Sequence, residues 1–421
     1  MGYTCAPSLD PPVYFVAKFK IQRYLTEVGN VDIWWTGSRL NQIQSPLPSV
    51  KGSLKGQAIV PLRYHFNTVT LGYTTTFWRF DKWSNLIDWM ALRGVNLPLA
   101  WGGYEHILVE VFREVGLSDL EIEDFLSGPA FLPWNRLGNI QGSWGGGLPM
   151  RWVEDQFDLS KQIIQRMVEL GMTPVLPSFT GFVPRALSAH YPNASIVSSS
   201  KWENFEDNLT SVPFLEPFDP LFSTFQESFI RKQMEEYGNV SHVYTLDQYN
   251  ENDPFSGNLT YLRDVSNGTI ASLRAADPDA IWLMSGWLFF SSSAFWTMDR
   301  IQAYLGGVED PDSMIILDLY SEAQPQWNRT QNYFGKHWIW CELHDFGQNM
   351  GLEGNLDELT NGPITALHGP NSSMKGVGLT MEGQEGNEIV YDILLDQAWS
   401  DRKSTRLNSS HSGESRMPSS A

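Results

Sequence analysis

From Tyr64 onward the chain repeats one pattern, in which an amphipathic helix, a glycine, an apolar strand and a polar loop follow one another. The pattern predicts eight strands, at about Tyr64–Leu71, Val95–Ala100, Thr173–Ser178, Val243–Leu246, Ile281–Ser285, Met314–Leu319, Trp338–Cys341 and Gly376–Thr380. Alternation of strands and helices over this length predicts a (β/α)8 barrel. The alternative is an open doubly wound sheet, but no GxGxxG motif follows the first strand to support it.

Two shorter segments flank the predicted barrel, which covers residues 63–400. Residues 1–62 read as a small N-terminal α/β domain with a helix at Ala17–Val28 and a strand at Val31–Thr36. Asp401–His411 back-translates to a sequencing-library adapter, so we interpret residues 401–421 as a non-native tail. This Ser-rich tail has too little apolar area to offset its ordering entropy, and we expect it to be disordered. The natural chain is then expected to continue past Ser400.

The charge balance argues against a nucleic-acid partner. The formal net charge is −19, from 29 basic and 48 acidic residues. Leaving out the tail, with its four basic and two acidic residues, gives 25 − 46 = −21. A chain this acidic repels polyphosphates.

No stretch approaches the length of a membrane span. Aromatic residues are abundant and include 17 Trp, which favours rings that line a sugar cleft.

The number of glycosylation sequons favours a secretory, lysosomal or vacuolar protein. Outside the tail, seven Asn-x-Ser/Thr sequons occur, at Asn193, Asn208, Asn239, Asn258, Asn267, Asn328 and Asn371. Residues 2–20 nevertheless contain no uninterrupted apolar core of a signal peptide, so we interpret the start as truncated or mis-assigned. The two cysteines, Cys5 and Cys341, suggest no pairing.

Polar and aromatic residues follow most of the predicted strands. After the fourth strand the chain turns polar at Asp247, reaches the neighbours Asn250 and Glu251, and cannot continue as a strand at Pro254. In a barrel these loops build the active site, although a solvated acidic loop is the plain alternative. The other groups at strand ends are Asn67, Trp101, Tyr104, Glu105, Trp287, Asp318, Glu322, Glu342, His344, Asp345 and Glu382.

Carboxylates and indoles around one rim are what glycoside hydrolysis requires. One carboxylic acid protonates the leaving oxygen, a second carboxylate attacks or activates water, and indole faces stack on the sugar. Metal chemistry is less favoured, because neither HExxH nor CxxC occurs, and a serine hydrolase would need GxSxG. Glu251 is the candidate acid, and we expect it to be the more buried or the more acid-crowded of the two working carboxyls, because an acid catalyst needs a raised pKa. Position alone leaves the second carboxylate open between Glu342 and Glu382.

Several blocks of the chain resemble the α-N-acetylglucosaminidases of glycoside hydrolase family 89. They include Tyr249-Asn250-Glu251, Gly128-Pro-Ala-Phe-Leu-Pro-Trp134, Gly171-Met-Thr-Pro-Val-Leu-Pro177, Gly286-Trp287-Leu-Phe289 and Met381-Glu382-Gly383. The resemblance implies a small α/β domain, a catalytic barrel and a helical C-terminal domain, the last of which is missing from this chain. It further implies a retaining exo-glycosidase, without a cofactor or metal, that removes terminal α-linked N-acetylglucosamine from glycans such as heparan sulfate.

The resemblance also implies roles for individual residues. Glu251 matches the acid/base and Glu382 the nucleophile, whereas Glu342 stands where the family would place an apolar residue. The positions that match the sugar pocket are Asn67, Trp134, Trp202, Asn250 and Trp287, joined by Leu343 and Phe346. The expected partner is a carbohydrate, and the full-length form could be a homo-oligomer. The alternative for this chain, without the C-terminal domain, is a catalytically incompetent sugar-binding or unstable fragment.

Overall fold

Eight parallel strands form the central sheet of the protein. The computed structural model describes residues 13–50, 57–349 and 354–399. The strands are β1 Leu62–His65, β2 Leu97–Pro98, β3 Leu176–Pro177, β4 Val243–Thr245, β5 Ile281–Ser285, β6 Met314–Asp318, β7 His337–Glu342 and β8 Met374–Leu379. They pair in the order β2-β1-β8-β7-β6-β5-β4-β3, and every pair is parallel.

The sheet closes on itself between β2 and β3. The N–H of Val175 donates to the carbonyl of Pro98 at 2.8 Å, and the N–H of Ala100 donates to the carbonyl of Val175 at 2.9 Å. Leu99 and Val175 form a parallel bridge. With this junction made, every strand has two neighbours, so the predicted (β/α)8 barrel is confirmed.

Helices surround the barrel and alternate with its strands. The longer ones are α1 Val13–Glu27, α2 Phe80–Arg93, α3 Tyr104–Glu114, α4 Met150–Glu169, α5 Pro220–Tyr237, α6 Leu259–Ala276, α7 Met298–Leu305, α8 Leu356–Leu367 and α9 Glu388–Gln397. Short helices lie at Thr70–Tyr73, Asp119–Glu123, Leu132–Arg136, Leu187–His190, Trp287–Ser291 and Gln326–Arg329. No helix among the described residues has the combination of length and apolar character needed to cross a membrane.

All eight predicted strands are present; β4 and β6 each end one residue earlier than predicted, and three others, β1, β2 and β3, are four residues shorter than predicted. The ladders of β2 and β3 contain only two residues each, because Pro98, Pro174 and Pro177 have no N–H to donate. β1 ends at His65 rather than near Leu71, because the chain turns into the short helix Thr70–Tyr73. These early strand ends lengthen the loops at the rim.

The N-terminal segment packs on the outside of the barrel. α1 is followed by a short hairpin, Ile33–Trp34 with Gly37–Ser38, in place of the single predicted strand. Trp35 packs edge-on against Trp89 of α2, with ring centroids 4.9 Å apart, and belongs to the main hydrophobic core. The tail at 401–421 and Cys5 lie outside the described residues.

The two ends of the barrel sequence meet beneath β1. The N–H of Ile59 donates to the carbonyl of Ala398 at 2.8 Å, and the guanidinium of Arg63 lies over the ring of Trp399, 5.1 Å from its centroid. Gly94, which ends α2, has a φ of +81° and faces the same indole. A Cβ at Gly94 would approach Trp399 to 2.3 Å, so only glycine fits both the backbone and the packing here.

We expect Gly94→Ala to lower the free energy of unfolding by about 2–4 kcal/mol, from the left-handed backbone and from overpacking against Trp399. Gly116, after α3, is the matched control: its φ is +90°, and the nearest atom to a new Cβ lies 4.0 Å away. Gly116→Ala should therefore cost about 1–2 kcal/mol, the backbone contribution alone. Urea unfolding of the two variants measures the difference, and equal losses would show that Trp399 does not fill this space.

Candidate active site

Two indoles hold the carboxylate of Glu251 at the C-terminal rim of the barrel. The Nε1–H of Trp202 donates to Oε2 at 2.7 Å, and the Nε1–H of Trp287 donates to Oε1 at 3.0 Å. The two donors come from different loops, after β3 and after β5, and Glu251 itself follows β4. Since each oxygen has its own donor, the half-buried carboxylate is fixed in one orientation.

The loop after β7 holds Glu382, which follows β8. The N–H of Gly347 donates to the Glu382 carboxylate. Asp345 accepts the backbone N–H of Glu382 at 2.8 Å and that of Gly383 at 3.2 Å. One loop therefore positions both the main chain and the carboxylate of Glu382. Asp345 was named among the groups at strand ends, but the sequence did not indicate this supporting role.

Electrostatics connects Glu382 with Glu251. Burial raises the pKa of Glu382 to about 7, the hydrogen bond from Gly347 opposes the rise, and the negative charges of Asp345 and Glu251 add to it. Crowding by acids was expected at Glu251, and here the structure differs, because Asp345 lies against Glu382. The contribution of Glu251 means that the two carboxyls are near enough for their charges to interact.

Tyr73 also lies near the carboxyls of Glu382 and Glu251, and the sequence analysis did not identify it as a site residue. Burial raises the pKa of its phenol, and the charges of Glu382 and Glu251 raise it further. Tyr73 ends the short helix Thr70–Tyr73, in a stretch that we assigned to strand and loop. Its ring packs edge-on against Trp134, with centroids 5.2 Å apart. The signal that could have found it is an aromatic residue shortly after the end of the first strand.

Aromatic rings form two walls on either side of Glu251. On one side Trp134 and Trp202 stack with centroids 6.4 Å apart. On the other side Trp287 and Phe346 lie 6.3 Å apart, and Phe346 is exposed. The structure thus brings these four predicted pocket residues around one carboxylate, in an arrangement that can hold a sugar ring.

The other predicted pocket residues differ in how accessible they are. Asn250, beside Glu251, is half-buried. Asn67 is 7% exposed, and its amide donates to the carbonyl of Thr380 at 2.7 Å and accepts the N–H of Val69 at 3.1 Å. Leu343 is buried beneath the rim. Asn67 therefore ties the ends of β1 and β8 together.

Glu342, the other candidate for the second carboxylate, lies beneath the rim. It is fully buried and contacts Nδ1 of His344. Glu322 accepts the N–H of Leu343 at 2.9 Å and the N–H of His344 at 2.7 Å through one oxygen. Burial raises the pKa of Glu322 well above its usual range, and the charge of Glu342 adds to this. Glu342 thus belongs to an interior acid cluster rather than to the accessible mouth.

Asp247 and Asp318, both at strand ends, hold backbone groups. Asp247 accepts the N–H of Ser285 at 2.8 Å, and Asp318 accepts the N–H of Trp327 at 2.6 Å. Burial raises their pKa values to about 6 and about 7.

At the opposite end of the barrel, in the described part of the chain, His242, Asp277 and Asp279 could group around a metal ion. His242 there pairs with Asp277 at 2.7 Å.

A closed parallel barrel with two carboxyls among indole rings at its C-terminal rim is the architecture of the barrel glycoside hydrolases. The chain belongs to the α-N-acetylglucosaminidase family, because residues 63–401 match the family model described as the α-N-acetylglucosaminidase (NAGLU) TIM-barrel domain. It is 38% identical over 379 residues to human α-N-acetylglucosaminidase, which covers 90% of this chain and 50% of the human protein. The chain thus spans half the length of that relative.

Solved structures agree with this assignment. A family 89 glycoside hydrolase from Clostridium perfringens in complex with 2-acetamido-1,2-dideoxynojirmycin matches with a TM-score of 0.81 and 30% identity, covering 92% of this chain and 43% of that one. The same bacterial protein in complex with its substrate GlcNAc-α-1,4-galactose also matches with a TM-score of 0.81 and 30% identity. That match covers 92% of this chain and 42% of the bacterial one.

The buried carboxyls predict that the fold is more stable in mild acid than at neutral pH. A carboxyl whose pKa is higher in the folded than in the unfolded chain stabilises the fold at low pH, and this contribution is lost as the pH rises through the folded value. Glu382, Asp318 and Glu322 all have raised values. We therefore expect the unfolding temperature to fall between about pH 5 and about pH 8.

The variant Glu322→Gln tests this prediction, because its amide oxygen can keep both backbone hydrogen bonds while no charge can form. We expect it to reduce the pH dependence, whereas Glu154→Gln, at an exposed position on α4, should leave it unchanged. Thermal unfolding of the three proteins across the pH range is the measurement. A wild-type protein that becomes more stable as the pH rises would contradict the prediction.

Proposed function

We propose that the protein acts as a retaining exo-glycosidase that hydrolyses terminal α-linked N-acetylglucosamine from glycans such as heparan sulfate. The observation that carries the proposal is the Glu251 carboxylate, fixed by Trp202 and Trp287 and electrostatically coupled to Glu382. Two interacting carboxyls between aromatic walls suit a sugar whose glycosidic oxygen must be protonated while its anomeric carbon is attacked. The bacterial relative bound to GlcNAc-α-1,4-galactose supports the choice of sugar.

The proposed reaction uses the two carboxyls in turn. Glu251 gives its proton to the glycosidic oxygen as the Glu382 carboxylate bonds to the anomeric carbon, and the C–O bond to the leaving group breaks. Water then attacks the same carbon, Glu251 takes a proton from that water, and Glu382 leaves. Two inversions retain the α configuration. For this route the two carboxyls should lie ~5–5.5 Å apart.

For this reaction to start, the two carboxyls of Glu251 and Glu382 must hold one proton between them. Because the pKa of Glu382 is about 7 and the charge of Glu251 contributes to it, the pair keeps a proton up to near neutral pH. Attack requires that this proton lie on Glu251 when the sugar is bound. The hydrogen bond from Gly347 favours an ionised Glu382, which supports its role as the nucleophile. The reverse assignment of the two roles is the alternative to test.

Azide rescue separates the two assignments, using an aryl α-N-acetylglucosaminide as substrate. Glu382→Gly should lose at least ~10³-fold in kcat and regain turnover with azide, giving a β-glycosyl azide. Glu251→Gly with azide should give the α-glycosyl azide, because azide then attacks the covalent intermediate. Products of the opposite configuration would reverse the roles. Rescue of Glu342→Gly as a β-azide would instead make Glu342 the nucleophile.

The proposed location is a lysosome, a vacuole or the exterior of the cell. The seven sequon asparagines outside the tail are all exposed, as glycan carriers in a secretory protein must be. The raised pKa values of the buried carboxyls also favour an acidic compartment, because the folded chain is then more stable there. A homo-oligomer of the full-length form remains part of the proposal.

Glycan occupancy should differ among the sequons when the protein is secreted from a glycosylating host. Asn267 lies in the middle of α6, and its amide nitrogen, the atom that would carry the glycan, donates to the carbonyl of Gly307 at 3.2 Å. We therefore expect Asn267 to be unmodified and the loop residues Asn193 and Asn208 to be modified. Peptide mass spectrometry after enzymatic deglycosylation in heavy-oxygen water measures this. A glycan on Asn267 in the folded protein would contradict the packing.

A further inference from the structure

An aromatic patch lies on the surface beside the start of α6. We define it as Phe218, Phe255 and Tyr261: the ring of Tyr261 lies 6.1 Å from that of Phe218 and 6.4 Å from that of Phe255, centroid to centroid. Phe255 is 65% exposed and Phe218 is 46% exposed. Leu259, at the first position of α6, is exposed as well. Neighbouring apolar side chains that are open to solvent mark a surface that another group covers.

The segment that joins Phe255 to Asn258 is held against α7. The N–H of Asn258 donates to the hydroxyl of Ser256 at 3.2 Å. Gly257 packs closely on Arg300 of α7, since a Cβ at Gly257 would lie 2.3 Å from Nη2 of that side chain. Because both contacts fix the backbone, the ring of Phe255 and the side chain of Asn258 keep one relative position.

The amide nitrogen of Asn258, a sequon residue, is free for modification. Its Oδ1 accepts the N–H of Thr260 at 2.9 Å and the N–H of Tyr261 at 3.2 Å, so the side chain caps the N-terminus of α6. Nδ2 makes no hydrogen bond within the described ranges of the chain, whereas that of Asn267 on the same helix donates to Gly307. The cap therefore turns Nδ2 outward, close to Tyr261 of the aromatic patch.

We propose that an N-glycan on Asn258 covers the aromatic patch, with its first N-acetylglucosamine packed on the ring of Phe255. This inference rests on the secretory route in the proposed function. In the modification, Nδ2 gives up one proton and bonds to C1 of the sugar, while the lipid diphosphate that carried the oligosaccharide leaves. The apolar C–H face of the sugar then replaces water on the ring. Because Phe255 follows closely after Glu251, the glycan joins the acid's loop to the start of α6.

Thr260→Ala gives the matched protein without this glycan, because it removes the sequon and leaves the cap of Asn258 in place. Both proteins are secreted from a host that adds high-mannose glycans and are trimmed to one N-acetylglucosamine with an endoglycosidase. Hydroxyl-radical labelling, followed by mass spectrometry, then measures the exposure of each phenylalanine. We expect labelling of Phe255 to rise about threefold in Thr260→Ala. Labelling of Phe77, which is 72% exposed and packs on Trp152, should stay the same.

A cycle of unfolding temperatures tests whether the glycan stabilises the protein through this ring. By scanning calorimetry, we expect Thr260→Ala to lower the unfolding temperature by about 2 °C when Phe255 is present and by less than about 0.5 °C in the Phe255→Ala background. Asn239→Gln is the control, because it removes an exposed sequon in the loop before β4, at the opposite end of the barrel. Its effect should be the same in both backgrounds.

Site occupancy separates this proposal from the route on which it rests. Glycans on Asn193 and Asn208 with none on Asn258 would overturn the proposal and leave the secretory route standing, whereas no glycan on any sequon would overturn both. Equal labelling of Phe255 in the two proteins would mean that the glycan does not cover the ring. Equal temperature shifts in the two Phe255 backgrounds would give the glycan a role unrelated to the patch. Either of these results also overturns the proposal.

Discussion

Closure of the sheet between β2 and β3 is the constraint on which the rest of the structure depends. The junction consists of short ladders interrupted by prolines, joined through Pro98, Ala100 and Val175. The loop after β2 contributes Trp134 and the loop after β3 contributes Trp202, so the first aromatic wall spans this junction. If the ladder opened, the two rings would separate, and Trp202, one of the donors that orient Glu251, would lose the ring on which it stacks.

The loop after β7 positions Glu382 on the other side of the rim, and it does so by bringing several carboxyls close together, which is electrostatically unfavourable. It brings Asp345 against Glu382 and packs Glu342 and Glu322 in the interior beside His344. Burying several carboxyls together is unfavourable unless backbone N–H groups or protons compensate them. Asp345 and Glu322 each accept two backbone N–H groups, so the cost is partly offset by fixing the chain where Glu382 must be placed.

The sequence predicts the barrel well because strand–helix alternation is a repeated signal, and it places Glu251 and Glu382 at strand ends. It does not distinguish Glu342 from Glu382, since both follow apolar strands, and only the fold shows that Glu342 points inward. Tyr73 was missed because a short helix replaced an expected strand. The support given by Asp345 depends on contacts between β7 and β8 loops, for which a single sequence carries no periodic signal.

The pairing of β1 with β8 has a consequence for how the protein is made. The partner of β1 is the last strand of the barrel to leave the ribosome, and the contact of Ile59 with Ala398 forms later still. Until then β1 is an unprotected sheet edge, because its other neighbour, β2, pairs with β3. The nascent chain must therefore keep β1 from wrong partners until β8 has been synthesised, and a chaperone that shields this edge would be needed for most of the synthesis of the domain.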